Sequence, residues 1–404
     1  MRMASLTPRE LLGPFYTILR YSPYNLSSTS NDSNNNRIIK IFRLLLGIAV
    51  CAITFIRLAV SVTDASKQPL SAAWGKLNIM MFAVLYATST SIVLCFWTRQ
   101  RFFNEFCDDL TKVQQHRIHP INMSANSNRK CHIVALILSI VFACVWMATF
   151  ILEFLDYCIE IRKGNSKFIE TLYKFVLNPI VYPLAAISTP LITTIYYLIN
   201  RSINNELQDF NADLKDAVIT NRLQNDTSLL AQFNNRHQSL VEFILKSNRQ
   251  LIKPLLFGPL ACVLCSANAV FVASAFENEI PMRDVSIYFF WIPCSIVTGV
   301  FNLAPPGHTQ ALLREVKNIL LSADLHQDNN SEVCQIFSAP GMSNFLQTYS
   351  LYKSMLRRCD IDTRLTVCGG AAYIDPAYTA KVFWIGPNVG SLMTIVKKLM
   401  FPDN

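Results

Sequence analysis

Charge is scarce in this chain: Asp, Glu, Lys and Arg together make up 16% of its 404 residues, where a soluble domain typically carries about 25%. With 51% of residues hydrophobic, that scarcity excludes a disordered chain, a basic nucleic-acid-binding protein and a small secreted disulfide scaffold. Catalytic signatures are also missing. There is no Gly-x-x-x-x-Gly-Lys-Ser/Thr phosphate loop, no Gly-x-Ser-x-Gly elbow and no His-Glu-x-x-His helix, so neither enzyme activity nor a cofactor is expected. His116 and His119 stand in a basic polar loop and read as solvated rather than metal-binding. The Cys262 and Cys265 pair lies in an apolar block and reads as packing. No cleavable leader is expected, because the first 38 residues are polar apart from Leu11 to Tyr21 and the first apolar block is long enough to span a bilayer.

What the chain has instead is long apolar runs. Crossing the hydrocarbon core as a helix takes about 20 mostly apolar residues, because no water is there to satisfy unpaired backbone groups. Six windows meet this: Ile41 to Val62, Leu77 to Trp97, Ile133 to Leu155, Phe175 to Ile199, Leu251 to Phe276 and Val285 to Leu303. Their only ionisable groups are Arg43, Arg57, Glu153 and Lys253. Pro376 to Phe401 makes a seventh if its flanking lysines snorkel. The expected fold is therefore all-α, a polytopic membrane protein of seven transmembrane helices.

Basic residues set the expected orientation, since Lys and Arg in short loops stay in the cytoplasm. The amino-terminal arm and the second, fourth and sixth connections hold 23 of them, and the opposite side holds nine. The amino terminus is then cytoplasmic and the carboxyl terminus extracellular, the inverse of a G-protein-coupled receptor. Six Asn-x-Ser/Thr sequons, at Asn25, Asn31, Asn122, Asn200, Asn225 and Asn329, oppose this because all fall on the side assigned to the cytoplasm. They lie in the long Asn- and Ser-rich connections, where chance sequons accumulate.

The connections carry amphipathic stripes. Ile203, Leu207, Phe210 and Leu214 recur at helical spacing, as do Leu230, Phe233, Leu240 and Ile244. Leu312, Val316 and Ile319 mark another helix, and Phe345, Tyr349, Tyr352, Leu356 and Cys359 a further one. Such faces must be buried, either within one subunit or in a collar between subunits. The chain thus divides into an arm (1–38), a six-helix bundle (39–303) with a helical loop at 200–250, anchor-like helices (304–375), and a last helix with a short tail (376–404). Asn178-Pro179-Ile180-Val181-Tyr182 matches a receptor signature normally found in a seventh helix. Here it stands in the fourth span, so the match reads as coincidence and Pro179, Pro183 and Pro190 as kinks.

Before the last helix the chain reads Cys368-Gly369-Gly370-Ala371-Ala372-Tyr373-Ile374-Asp375-Pro376. The glycines permit a sharp turn, Asp375 suits a helix N-cap and Pro376 the first helical position. Cys368, Gly369, Ile374 and Asp375 resemble the end of the invertebrate gustatory receptor family, within the insect-type chemoreceptor superfamily. Ser391, Leu392, Lys398 and Leu399 stand where that family carries its Thr-Tyr and Gln-Phe pairs. The resemblance implies a plasma-membrane chemosensory receptor, a ligand-gated cation channel assembled as a homo- or hetero-tetramer, with final helices around a central pore. Its stimulus would be a small molecule or another sensory input.

Asn388, Ser391, Ile395 and Lys398 share one face of the last helix at 100° per residue, a mostly polar stripe that is a candidate pore lining. Four copies of Lys398 at an outer mouth would favour anions unless they snorkel. Trp146, Glu153, Tyr182, Asn268, Tyr288 and Trp291 occupy the outer halves of spans three to six and are the candidate ligand pocket. The rival classes are a serpentine G-protein-coupled chemoreceptor of opposite topology and a transporter.

Overall fold

A computed structural model describes residues 6–26, 35–67, 70–118, 125–162, 168–251, 258–278, 280, 282–322, 342–361, 366–367, 372–373 and 376–400. Two short helices open it, α1 (Pro8–Leu12) and α2 (Pro14–Tyr21). Thr7 and Glu10 form a reciprocal capping box at the start of α1. Gly13 turns the chain at φ 55°, and a Cβ there would lie 2.7 Å from the His132 ring, so the arm is held against the next long helices.

The long helices are α3 (Asn35–Lys67), α4 (Ala72–Arg99), α6 (Ala125–Arg162), α7 (Phe168–Ile219), α10 (Gly258–Ala275), α11 (Met282–Ser322) and α13 (Pro376–Met400). Among the described residues, five helices are long and apolar enough to cross a membrane: α3, α4, α6, α7 and α10. The predicted sixth and seventh windows are also helical, inside α11 and within α13. Only 17% of the apolar window in α6 and 28% in α3 is buried, against 67% in α4 and α10. The first two are therefore peripheral, and exposed side chains such as Phe42, Leu45 and Ile48 on α3 and Val134, Ile137 and Val141 on α6 suit lipid, whereas α4 and α10 are central.

Two cores lie at opposite ends. The proximal core joins the arm, the end of α4, α5 (Phe102–Gln115), the last half of α7, the single turn α8 (Arg222–Asn225), α9 (Thr227–Leu251), the end of α11 and α12 (Met342–Ile361). The distal core joins the start of α4, the last half of α6, the first half of α7, α10 and the start of α11. Successive long helices thus alternate in direction, and α13 runs parallel to α10.

Three of the four stripes expected in the connections are buried within this single chain; of the fourth, Tyr352 is buried while Tyr349, Leu356 and Cys359 are half-buried. Leu207, Phe210, Leu214, Leu230 and Val316 are wholly inaccessible, and Tyr352 nearly so. The helix α7 does run on past the fourth span, through 52 residues to Ile219. Likewise, α11 passes without interruption through the domain boundary expected at 303.

Two expectations change. At the fifth window Leu251 belongs to α9 and packs in the proximal core, residues 252–257 lie outside the described residues, and α10 is described from Gly258. The all-α expectation also misses a two-residue antiparallel ladder, β1 (Thr366–Val367) with β2 (Ala372–Tyr373). Gly369 and Gly370, where a turn is expected, lie outside the described residues, as do Cys368, Ile374 and Asp375.

Candidate functional site

Helix α13 is seated by glycines. A Cβ on Gly386 would come 2.0 Å from Ser266 Oγ and 2.8 Å from the Val263 carbonyl oxygen; one on Gly390 would come 2.4 Å from the carbonyl oxygen of Ala267. Small residues four apart let two membrane helices approach at backbone distance. At the distal end Lys397 Nζ donates to the Ala275 carbonyl at 2.8 Å and lies 4.2 Å from the Phe276 ring centroid, a cation at the carboxyl end of α10. Opposite this seated face, Asn388, Ser391, Ile395 and Lys398 are all exposed on the outside of the subunit. The four sequence-predicted pore residues thus share a face that the chain's own helices leave uncovered.

A buried polar network crosses the distal half. Arg57 on α3 donates from Nε to Asn178 Oδ1 on α7 at 2.8 Å and from a terminal nitrogen to Ser61 Oγ at 2.5 Å. Asn178 Nδ2 in turn donates to Glu153 Oε2 on α6 at 3.4 Å, and the Tyr182 hydroxyl donates to the same oxygen. All five side chains are buried. Charges in an apolar interior persist only when paired and hydrogen-bonded, and here Asn178 bridges a guanidinium and a carboxylate. Asn178 and Tyr182 are the ends of the Asn-Pro-x-x-Tyr string, placed one turn apart on the same face of α7.

Beside the network, Trp146 meets Tyr182 edge-on at 5.9 Å and Trp291 edge-on at 5.1 Å, and Trp291 Nε1 donates to Thr149 Oγ1 at 3.0 Å. Tyr288 belongs to the same buried cluster. Five of the six residues expected in a ligand pocket are therefore gathered in the distal core, packed on one another. The sixth, Asn268, sits on α10 and donates to the Leu264 carbonyl of its own helix at 2.9 Å.

A cavity of about 330 Å³ lies elsewhere, between α6, α7 and α11 at the level where the two cores meet, lined by Ser139, Phe142, Pro190, Thr194, Pro293 and Thr298 among others. None of the six expected pocket residues lines it. Its hydroxyls are inconspicuous inside apolar windows, and the signal available in the sequence was the pair of mid-helix prolines on α7 and α11.

A family model described as Caenorhabditis protein of unknown function, DUF267, matches residues 11–390. The chain belongs to this family. No curated protein sequence matches it. Its fold is similar to that of the insect olfactory receptor OR5 from Machilis hrabei in complex with eugenol, with a TM-score of 0.65 at 10% identity over 96% of this chain and 98% of that one. The same receptor in a second structure gives a TM-score of 0.62 at 11% identity over 98% of both chains. This DUF267 chain therefore shares the fold of that receptor over nearly all of its length, and its long apolar helices make it a multi-pass membrane protein.

The proximal core of the DUF267 chain is pinned by charge. Arg117 binds Glu206 and lies 3.3 Å from Asp209, Gln114 donates to Glu206 at 2.7 Å, and Arg236 donates to Asp213 at 2.6 Å beneath the Phe210 ring. These contacts join α5, α7 and α9. His237 stacks on Phe210 at 5.7 Å, is fully buried, and its Nδ1 has no hydrogen-bond partner. Burial, with Arg358 nearby, pushes its pKa down to about 4. The unfolded chain takes the proton first, so this group's contribution is full above the ordinary imidazole range and is lost as pH falls from about 6.5 toward 4. We expect His237→Phe, which keeps the stacking, to flatten that segment of the pH–stability curve by about 1.4 kcal/mol per unit. Thermal melts of the purified full-length protein at pH 7, 5.5 and 4.5 check it; an unchanged slope would exclude His237 as the titrating group.

Proposed function

We propose that this chain is a chemosensory receptor of gustatory type, a ligand-gated ion channel of the plasma membrane in which α13 from each of several subunits lines the pore. The carrying observation is the one-sided seating of α13. Its glycine face is locked to α10, while Asn388, Ser391 and Lys398 stand uncovered on an apolar helix. Polar groups at membrane depth belong against protein or water, and a ring of such helices supplies both. The whole-length likeness of fold to the insect olfactory receptor supports the same reading. In that arrangement seven helices cross the bilayer with the amino terminus inside and the carboxyl terminus outside.

Two of the six sequons do not count against this orientation. Asn25 is 7% exposed with its amide donated to the Arg20 carbonyl, and Asn200 is 4% exposed within α7, so neither offers a free amide for a glycan in the folded chain. Tags at both termini, stained in intact and permeabilised cells, test the topology. A hidden amino terminus with an exposed carboxyl terminus is expected; an exposed, glycosylated amino terminus would overturn the channel reading in favour of a serpentine G-protein-coupled receptor.

Conduction gives the second test. If α13 lines the path, Lys398→Gln removes one positive charge per subunit near the distal mouth. The reversal potential under a salt gradient is expected to move toward cation preference, with the permeability ratio changing severalfold. An unaltered ratio in a conducting channel would place Lys398 away from the ion path.

A further inference from the structure

The cavity between α6, α7 and α11 plays no part in the pore face or in the polar network, yet it is built as a binding site. Its volume of about 330 Å³ lies within the range of small-molecule pockets, which are mostly apolar with a few placed polar groups. Phe142, Val145, Tyr197 and Phe301 supply the apolar wall, and among the described residues no acidic or basic side chain lines it. Around its edge Leu138, Val141, Phe290 and Val297 are 41%, 54%, 60% and 45% exposed. These residues look outward from the bundle at the depth of the peripheral helix α6, so the mouth opens sideways into the hydrocarbon of the bilayer rather than into water.

The polar part of the wall has a definite sense. Ser139 Oγ donates to the Ala135 carbonyl at 2.8 Å, which leaves Thr194 to donate in the 2.7 Å contact between the two hydroxyls. Thr298 Oγ1 donates to the Cys294 carbonyl at 2.8 Å. A hydroxyl has one hydrogen and two lone pairs. With the hydrogens committed, what these oxygens still offer the cavity is acceptance.

We propose that this cavity is a ligand site for an uncharged, largely hydrocarbon small molecule carrying a hydroxyl or N–H donor, which enters laterally from the bilayer. The absence of charge in the lining excludes ions and zwitterions, whose desolvation nothing here would offset. A phospholipid acyl chain fits the apolar wall but offers nothing to the Ser139, Thr194 and Thr298 acceptors. The assignment deepens the receptor reading and rests on it for its consequence, while binding itself can be measured without conduction.

The test uses full-length protein in phosphatidylcholine vesicles and a medium-chain alcohol bearing a diazirine. After photolysis and peptide mapping, label is expected on the Phe142–Val145 and Val297–Phe301 stretches, saturating with probe. An excess of the plain alcohol should displace it, and an alkane of equal length should do so at least tenfold less well. Val297→Trp, a bulky change at the exposed edge, should cut the label at least tenfold. Ser139→Ala with Thr194→Val should abolish the preference for alcohol over alkane while preserving apolar labelling. Label that rises linearly and spreads over the lipid-facing sides of α3 and α6 would overturn the proposal. So would displacement by alkane and alcohol alike in the unaltered protein, or saturable label confined to the Trp146–Tyr182 cluster. Saturable labelling without any current would sink the channel reading alone; ligand-evoked current without saturable labelling would sink this one alone.

Discussion

Gly390→Ala is expected to detach α13 from α10 and to leave the protein without a functional last helix. Two effects compete at this position. Alanine is the better helix former by about 1 kcal/mol, which taken alone would stabilise the variant. Against that, the new methyl group would sit 2.4 Å from the Ala267 carbonyl oxygen, and the obstacle is backbone that no rotamer change can move. Overpacking of this kind costs about 1–3 kcal/mol where side chains can yield, and here the helices themselves must part. Separation would also forfeit the Lys397 contact with the carbonyl of Ala275. We expect the clash to win, with the thermal midpoint of the detergent-solubilised protein falling and the α13 segment becoming open to protease. Gly386→Ala provides the control, because its nearest obstacle is the Ser266 hydroxyl. Adding Ser266→Ala should recover part of the loss there, whereas no side-chain change should rescue Gly390→Ala. A Gly390→Ala protein of undiminished stability would mean that α13 is not held at the separation described.

The second large effect concerns the network in the distal half. Glu153→Ala removes the carboxylate that accepts from Asn178 and Tyr182 and so opens the chain of hydrogen bonds that runs from it through Asn178 to the buried Arg57 guanidinium. Breaking a buried ionic arrangement by deleting one partner typically costs about 3–5 kcal/mol, while replacing both partners by apolar groups of similar volume is often neutral. Each of Glu153→Ala and Arg57→Ala is therefore expected to abolish most folded protein, and the pair Arg57→Met with Glu153→Met to restore much of it. A double-mutant cycle on thermal stability reads the coupling directly. Strictly additive losses would show that Arg57 and Glu153 do not act on one another through Asn178.

The residues involved in these two predictions were unequally visible in the sequence. The stripes Leu207–Phe210–Leu214 and Leu230–Phe233 were legible because a period of 3.6 residues is written along the chain itself, and they are among the side chains most completely buried in the proximal core. Partner choice across helices is not written that way. Arg57 and Glu153 both stood out as charges inside spans, and it is a third helix, through Asn178, that links them in one network. A clue was available in their opposite signs at comparable distances from the distal ends of α3 and α6. The polar face of α13 was legible as periodicity, but what turns it outward is the glycine face behind it, and two glycines four apart gain meaning only once α10 is seen to approach. The aromatic side chains taken as a pocket are compatible with their depth, and they fill it by stacking edge to face. The cavity lies where small hydroxyl residues and prolines leave space, a signal of what is missing rather than of what is there.

Helix α7 gives these separate regions a mechanical relation. Its 52 residues make a rod of about 78 Å at 1.5 Å per residue, with Asn178 and Tyr182 near one end and the Glu206–Asp213 charges near the other. All three of its prolines, Pro179, Pro183 and Pro190, lie in the distal part, and the stretch from Leu191 to Ile219 has none. Each proline deletes a rung of the hydrogen-bond ladder and softens the rod locally. The result is a compliant joint above a stiff lever arm of about 43 Å. A tilt of about 5° at Pro190 would sweep the far tip by about 4 Å on that length. Through this lever, a rearrangement too small to open any gap around the distal carboxylate would be magnified into a displacement of atomic size among the helices of the proximal core.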